Sequence, residues 1–263
     1  MKLGLNEDIS NEDYHADTEF LSSSSLKMML KAPREFYHRY VKKDLEEEEK
    51  PQKDSLVFGS LVHSVILEPH LVEKEYVEYK GASKRTKEWK EFKASNESLP
   101  IITTAQLEKA NMMRDIAMEN EFAVDLLKEG VPEQTLCVEL EGVKIKVRSD
   151  YLKDGQIVDV KTTSDGLSFE EVQNTCLRWD YALSAALYTD AFSQYFGKKH
   201  DFYFVFLGKG PLGCGVFKAS ESFLEHGRKK YKRALKKIIT SRETGVWFNE
   251  GIAEISLPEG ILG

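Results

Sequence analysis

An aspartate pair and a lysine, namely Asp150, Asp159 and Lys161, have the side chains that metal-assisted hydrolysis of a phosphate ester requires. Hard carboxylate oxygens suit Mg²⁺ or Mn²⁺, both of which keep water ligands and bind substrate phosphate. A lysine beside them can orient or deprotonate the attacking water and can neutralise the charge that develops on the phosphate. Because an isolated Asp-x-Lys sequence is weak evidence, the hypothesis depends on whether the chain brings the two aspartates together.

A predicted β-hairpin supplies that contact. Residues 143–148 alternate between apolar and charged side chains, with Asp150 at the next charged position, and residues 158–161 alternate in the same way. This is the pattern of two strands that each bury one face. The intervening Asp154-Gly155 is a typical two-residue hairpin loop, in which Lys153 pairs with Gln156.

The same register opposes charged residues across the hairpin. Counting from the turn places Asp150 across from Asp159 and Arg148 across from Lys161. Like charges in directly opposed positions destabilise a sheet, and a divalent cation between the aspartates would compensate for their repulsion. The alternative is a surface hairpin in which these residues form cross-strand salt bridges, each worth only ~0.2 to 1 kcal/mol.

Helical patterns precede this hairpin, and helices and strands alternate after it. The predicted helices before residue 130 span 21–41 with a break at Pro33, 55–68, 83–94 and 103–128. Strand patterns cover 135–140, 143–152, 156–163 and 201–208, helical patterns begin at 168 and cover 181–196 and 222–239, and the Gly/Pro-rich segment 208–215 is expected to be a loop. Because no repeat or linker divides the chain, we predict one α/β domain with a helical N-terminal elaboration.

Composition excludes several classes of protein. The 263 residues include 37 Lys+Arg and 44 Asp+Glu, a net charge of −7, which argues against a protein that coats nucleic acid by bulk charge. No run approaches the roughly 18 to 20 apolar residues of a membrane span, and the first residues lack the order of a signal peptide. We therefore expect a cytoplasmic protein without a membrane partner. Cys137, Cys176 and Cys214 are widely spaced and predict buried thiols.

The hairpin sequence RSDYLKDGQIVDVKTT, residues 148–163, resembles the PD-(D/E)XK nuclease superfamily. It is most similar to the nuclease domain of exodeoxyribonuclease VIII (RecE) and more distantly to RecB and lambda exonuclease. Further blocks resemble the RecE-type domain in its order, over about Tyr14 to Tyr203: SSSSLKMMLKAPREFYHRYV, FGSLVHSVILEP, KRTKEWKEF and YALSAALYTDAF. The set of blocks is far more specific than any one motif.

The resemblance implies a restriction-endonuclease-like core in which a central mixed sheet is flanked by helices. It divides residues 1–263, as a single nuclease domain, into a helical part at about 1–130, a catalytic α/β core at about 131–240 and a tail at 241–263. The expected fold class is therefore α/β, with a helical N-terminal elaboration.

The resemblance also assigns the site. It implies that Asp150 and Asp159 are metal ligands, assisted by the backbone carbonyl of Val160, and that Lys161 is the catalytic lysine. His63, in the block GSLVH, corresponds to a histidine that joins the metal site. Without that block, a single histidine on an apolar helix is more often a core residue.

Three further residues are possible supporting groups. Glu133 resembles the glutamate that precedes the catalytic aspartate in RecB-like sequences, and its alternative is an ordinary acid at a strand edge. Tyr188 is a candidate partner of the phosphate or the lysine, or else a core residue. The family has Gln where this chain has Ser184, and serine is too short to make the same contact to DNA or to Lys161.

The candidate DNA contacts are basic residues near the proposed metal or on the predicted helix 83–94, which is rich in charged residues. They are Arg148, Lys146, Lys144, Lys84 and Arg85. Contacts of this kind give affinity for the phosphate backbone without sequence preference.

Similarity to RecE implies a Mg²⁺-dependent exonuclease that degrades the 5′-ended strand of linear double-stranded DNA from its ends. It also implies a homo-oligomeric ring and a single-strand annealing or recombinase partner in phage-type recombination. One alternative is a catalytically weak or inactive nuclease-fold module that only binds DNA. Another is an enzyme in which the Lys161 amine forms a Schiff base with a carbonyl substrate.

Overall fold

The computed structural model describes residues 1–7, 9–45, 54–81, 83–249 and 251. Most of the acidic stretch at 44–54, whose charge predicts a solvated loop, lies outside these residues. The helices are α1 Asn11–Ala16, α2 Ser23–Lys31, α3 Pro33–Phe36, α4 Asp54–Leu67, α5 Val72–Glu75, α6 Lys87–Ser95, α7 Thr104–Glu119, α8 Glu121–Leu126, α9 Phe169–Arg178, α10 Tyr181–Phe196 and α11 Glu221–Thr244. A π-helical segment, Tyr37–Lys42, continues α3, and a short 3₁₀ turn, Pro69–Leu71, precedes α5.

A six-stranded mixed sheet forms the centre of the fold, in the order β1-β4-β5-β6-β7-β8. Its strands are β1 Gly4–Asn6, β4 Val131–Leu140, β5 Val143–Lys153, β6 Gln156–Thr163, β7 Asp201–Lys209 and β8 Leu212–Lys218, and a separate parallel pair consists of β2 Val77–Tyr79 and β3 Ile101–Thr103. Only β6 and β7 are parallel in the large sheet. The predicted fold class, a mixed sheet flanked by helices, is confirmed.

Helices cover both faces of the sheet. On one face α2, α9, α10 and α11 pack against residues such as Ile145 and Ile157. On the other face α4, α7 and α8 pack against residues such as Val158 and Val160. The central strand β6 is therefore buried on both sides. For this reason its consecutive residues Asp159 and Val160, which point to opposite faces, are both largely inaccessible.

Side-chain caps begin several helices where the sequence predicts. Ser22 caps α2, and α3 restarts at Pro33, the favoured first helical position for proline. Thr103 with Gln106 and Ser168 with Glu171 form reciprocal capping boxes at α7 and α9. These local signals fix where the helices start.

Three predicted boundaries differ from the structure. The segment expected to be a loop contains an edge strand, β8, which pairs antiparallel with β7. The long helix expected up to residue 128 is divided at Asn120, whose side chain caps α8. The last helix extends to Thr244, and Trp247 beyond it packs on Phe36 with ring centroids 6.0 Å apart. Tertiary contacts override weak local patterns at these places.

The thiol prediction is correct for two of the three cysteines. Cys137 and Cys176 are buried, whereas Cys214 on the edge strand β8 is half-buried. All three are free thiols.

Across the described ranges, no single helix is both long enough and apolar enough to span a membrane. Helix α4 together with Pro69–Glu75 reaches that length and composition, but the two segments are bent by 119° against each other.

Gly227 allows α11 to pack directly on α10. A Cβ at this position would lie 1.8 Å from the carbonyl oxygen of Ala182. Because backbone cannot move aside as a flexible side chain can, we expect Gly227→Ala to lower the free energy of unfolding by about 2 to 3 kcal/mol. Denaturant titration measures this change, with the exposed neighbour His226→Ala as the control. Equal stability of the two variants would contradict the tight packing.

Candidate active site

The two strands of the predicted hairpin separate before they reach Asp150 and Asp159. Pairing follows the expected register from Lys153–Gln156 to Tyr151–Val158 and then ends. The side chain of Asp150 continues the contact in another way, because its Oδ2 accepts a hydrogen bond of 2.6 Å from the backbone N–H of Val160. The expectation that Asp150 and Asp159 form a directly opposed pair is therefore wrong, although both flank the same opening in the sheet.

The second expected pair is also absent from the ladder. Arg148 lies across from Thr135 on β4, and Lys161 is level with Phe206 on β7. Beyond this point β5 stays paired with β4, and β6 stays paired with β7. The sheet therefore opens between β5 and β6. The acidic side chains of Asp150 and Asp159 lie at the edges of this opening.

Three potential ligands from different elements meet at the opening. The Nδ1 of His63 lies 3.5 Å from Oδ2 of Asp150, and ligand atoms of His63, Glu133 and Asp150 all lie within 4.8 Å of one another. Glu133 belongs to β4, where its φ of 47° interrupts the regular strand opposite Asp150. The structure thus brings Glu133, predicted only as a possible supporting residue, next to the predicted metal ligands.

The same three residues line an acidic cavity of about 470 Å³. Its other charged lining residues are Glu68, Glu75 and Arg148. Four carboxylates thus face one guanidinium and one imidazole. Burial and, to a lesser extent, the neighbouring Glu75 raise the pKa of Glu68 above its ordinary value, against the opposing charges of His70 and Arg148.

Burial and the charge of Asp150 raise the pKa of Glu133 to about 8, and Arg148 only partly opposes this shift. Asp159, with 8% of its surface exposed, also has a raised pKa, because burial and Asp150 outweigh the attraction of Lys161. Excess buried negative charge of this kind is what a divalent cation with oxygen ligands neutralises. The donor set of one imidazole and several carboxylates fits such an ion.

Asp159 and Lys161 form a second unit beside the three-residue cluster. The Lys161 ammonium lies 2.5 Å from Oδ2 of Asp159 and 3.4 Å from the carbonyl oxygen of Val160, to which it donates. Burial alone would lower the pKa of Lys161, but Asp159 and Asp150 outweigh it and raise the pKa. Lys161 is therefore an ammonium at neutral pH, whereas a Schiff-base lysine needs a lowered pKa.

Helix α10 lies beside this unit and carries Tyr181, Ser184 and Tyr188, whose spacing places them on one helical face. The Lys161 ammonium lies 5.4 Å from the ring centroid of Tyr181, which stacks on Phe204. Burial and Asp159 raise the pKa of Tyr188 to about 12. Ser184, one turn before Tyr188, is half-buried. Tyr188 thus lies within electrostatic reach of the site as a neutral phenol.

The basic face of β5, predicted to contact DNA, is only partly accessible. Lys146 is only 5% exposed and donates to the carbonyl oxygens of Tyr14 and Asp17. Lys144 forms an ion pair with Glu19. The N-terminal segment covers Lys146, because Leu21 hydrogen-bonds to the backbone of β5 on both sides of Ile145, whereas Lys144 stays exposed.

The remaining DNA-binding candidates differ in their surroundings. Arg148 donates to Thr135, to Asn11 and to the carbonyl oxygen of Ile9, yet it still lines the cavity. Lys84 pairs with Asp54 at 2.9 Å, and Arg85 is exposed. Of the five candidates, Arg148 is the one that lines the acidic cavity.

Comparisons with known proteins identify the family of the chain. The family described as a PDDEXK-like domain of unknown function (DUF3799) matches residues 22–254. The chain therefore belongs to this family of PD-(D/E)XK-like proteins. No curated protein sequence matches the chain.

One solved structure has a similar fold. The crystal structure of a "Putative exonuclease" from Eubacterium rectale has a TM-score of 0.64 and 17% sequence identity, over 92% of this chain and 89% of that chain. The crystal structure of SSO0001 has a TM-score of 0.28 and 14% identity over 67% of this chain and 85% of that chain. The first similarity supports a nuclease-like fold, and the second is too weak to carry an argument.

Proposed function

We propose that the protein is a Mg²⁺- or Mn²⁺-dependent exonuclease that degrades the 5′-ended strand of linear double-stranded DNA. The observation that carries the proposal is the meeting of His63, Glu133 and Asp150 beside the Asp159–Lys161 pair. Membership in a PDDEXK-like family supports the same chemistry. The strand polarity rests on the resemblance to RecE.

Asp150, Asp159, His63 and the carbonyl of Val160 would hold the cation, with Glu133 at its side. When bound, the cation supplies a Lewis acid for the phosphate and lowers the pKa of a water molecule. The Val160 N–H fixes the orientation of Asp150 through their 2.6 Å hydrogen bond. The Lys161 ammonium, held by Asp159, orients a phosphate oxygen and stabilises the negative charge of the transition state.

The wider context is also part of the proposal. By resemblance to RecE we infer a ring-shaped homo-oligomer around DNA, a cytoplasmic location and a role in phage-type recombination. A single-strand annealing or recombinase protein would receive the 3′ overhang.

The proposal is tested with end-labelled linear duplex DNA and a closed circular duplex, in Mg²⁺ or in EDTA. We expect loss of the linear DNA alone, only with Mg²⁺, and early release of a 5′ label. Asp159→Ala should abolish the activity, because it removes a ligand and the partner of Lys161. Asp154→Ala, at the exposed turn of the same hairpin, is the matched control and should retain it.

Other outcomes would redirect the assignment. Cleavage of the circle would contradict an exonuclease, and early release of a 3′ label would contradict the polarity. Binding without degradation in every condition would support the DNA-binding module instead.

A further inference from the structure

A cluster of lysines surrounds a buried aspartate at the junction of α9 and α10. Asp180 is 7% exposed and has a left-handed backbone with φ of 57°. The Lys230 ammonium donates to its Oδ1 at 2.5 Å, and the Lys31 ammonium lies 3.6 Å from its Oδ2. Lysines from α2 and α11 thus meet at one carboxylate.

The carboxylate of Asp180 pairs with these lysines and does not cap its own helix. An aspartate before the first residue of a helix usually accepts a hydrogen bond from a backbone N–H of that helix. Asp180 occupies this position before α10, but its side chain makes no such bond. The carboxylate faces the lysines instead, and in this way it ties α2 and α11 to the start of α10.

A third lysine links the cluster to the proposed catalytic centre. The Lys27 ammonium donates to the carbonyl oxygen of Trp179 at 3.0 Å. It also lies 5.7 Å from the ring centroid of Tyr181, the same ring that Lys161 approaches to 5.4 Å. Burial lowers the pKa of Lys27 to about 8 despite the attraction of Asp180. A neighbouring anion would therefore stabilise this ammonium.

Positive charge is in excess here, and an aromatic residue is exposed beside it. Lys27, Lys31 and Lys230 together carry three positive charges against the single charge of Asp180. Trp179 precedes Asp180 directly and is 58% exposed. Lysines with an accessible aromatic ring are the combination that binds single-stranded nucleic acid, through its phosphates and its unpaired bases.

We propose that Lys27, Lys31, Lys230 and Trp179, here called the lysine–tryptophan surface, bind a single-stranded segment of DNA next to the phosphate held at Lys161. The inference deepens the proposed nuclease function and rests on it for the position of that phosphate. A single strand fits better than a duplex, because stacking on an indole requires an unpaired base. The indole of Trp179 would stack on the base, and the ammonium of Lys27 would bind the adjoining phosphate.

The test measures binding of a fluorescent single-stranded oligonucleotide and a blunt duplex to the full chain in EDTA, where no hydrolysis interferes. We expect Trp179→Ala to weaken single-strand binding about tenfold and duplex binding less than about twofold. Lys27→Met should weaken single-strand binding severalfold and reduce the slope of log K against log salt by ~0.7. Lys27→Arg should restore most of the affinity.

Matched controls separate this surface from general surface effects. Phe122→Ala removes an aromatic residue that is 75% exposed on α8, across the sheet from α2 and α10. Lys236→Met removes an exposed ammonium from α11. Both should bind like wild type, and circular dichroism checks that every variant is folded.

Two results would overturn the inference: affinities of folded Trp179→Ala and Lys27→Met that match the controls, or equal weakening of duplex and single-strand binding by Trp179→Ala. Because the assay needs no catalysis, its result is independent of the proposed nuclease function. Selective loss of single-strand binding would support the surface even if the wild type hydrolysed no DNA.

Discussion

Lys161→Ala is expected to lower the rate of DNA hydrolysis by about 10³-fold or more at saturating Mg²⁺. Loss of one preorganised donor to a transition-state oxyanion costs about 10² to 10³ in rate. Here the variant also leaves Asp159 buried without the ammonium that lies 2.5 Å from it. A protonated or misplaced Asp159 would then be a poorer cation ligand, which adds to the loss. Release of acid-soluble nucleotides from linear duplex DNA measures the rate.

Two controls distinguish this role from a loss of charge or of folding. Lys218→Ala removes an ammonium that pairs with Asp201 on the same sheet, and it should keep full activity. Lys161→Arg keeps the charge but changes its geometry, so we expect it to recover only part of the rate. Thermal unfolding shows whether each variant is folded. Activity of folded Lys161→Ala within tenfold of wild type would contradict a direct role for the lysine.

The sequence predicted the elements of the sheet better than the contacts at its centre. Alternation located β4 to β7, and the Asp154-Gly155 turn set the pairing of Lys153 with Gln156. The same count extended to Asp150 and Asp159 failed, because a hairpin register holds only while the strands remain paired. From Asp159 onward, β6 pairs with β7 but no longer with β5. Such a long-range constraint leaves no mark in the local pattern.

The local sequence pattern also could not predict which residues are buried by distant segments of the chain. Alternation correctly showed a polar face at Lys144, Lys146 and Arg148, and that face suggested contact with DNA. It could not show that residues near the N-terminus, some 130 positions away, cover Lys146. The positive φ of Glu133 likewise has no counterpart in the alternating pattern. The resemblance to known nucleases was the signal that singled out Glu133.

Glu133→Gln is expected to have opposite effects on stability and on activity. The pKa of Glu133 rises from 4.5, its ordinary value, to about 8 in the folded protein. The folded state therefore keeps a proton that the unfolded chain releases, so the free energy of unfolding falls as pH rises from about 4.5 to about 8. Glutamine cannot ionise. Without a divalent cation at pH 8, the variant should be more stable than wild type by about 1 to 2 kcal/mol, a value reduced for partial solvent screening.

A divalent cation should reverse this order. An ion that binds only the folded state stabilises it by mass action, and the wild type offers it one more carboxylate than Glu133→Gln does. We therefore expect Mn²⁺ or Mg²⁺ to raise the melting temperature of wild type more than that of the variant, and hydrolysis by the variant to be about 100-fold slower. Glu139→Gln, at an exposed position of the same strand, should resemble wild type in both measurements. Because a glutamate with only a structural role would give the same cation response in both proteins, the size of that difference decides whether Glu133 belongs to the metal site.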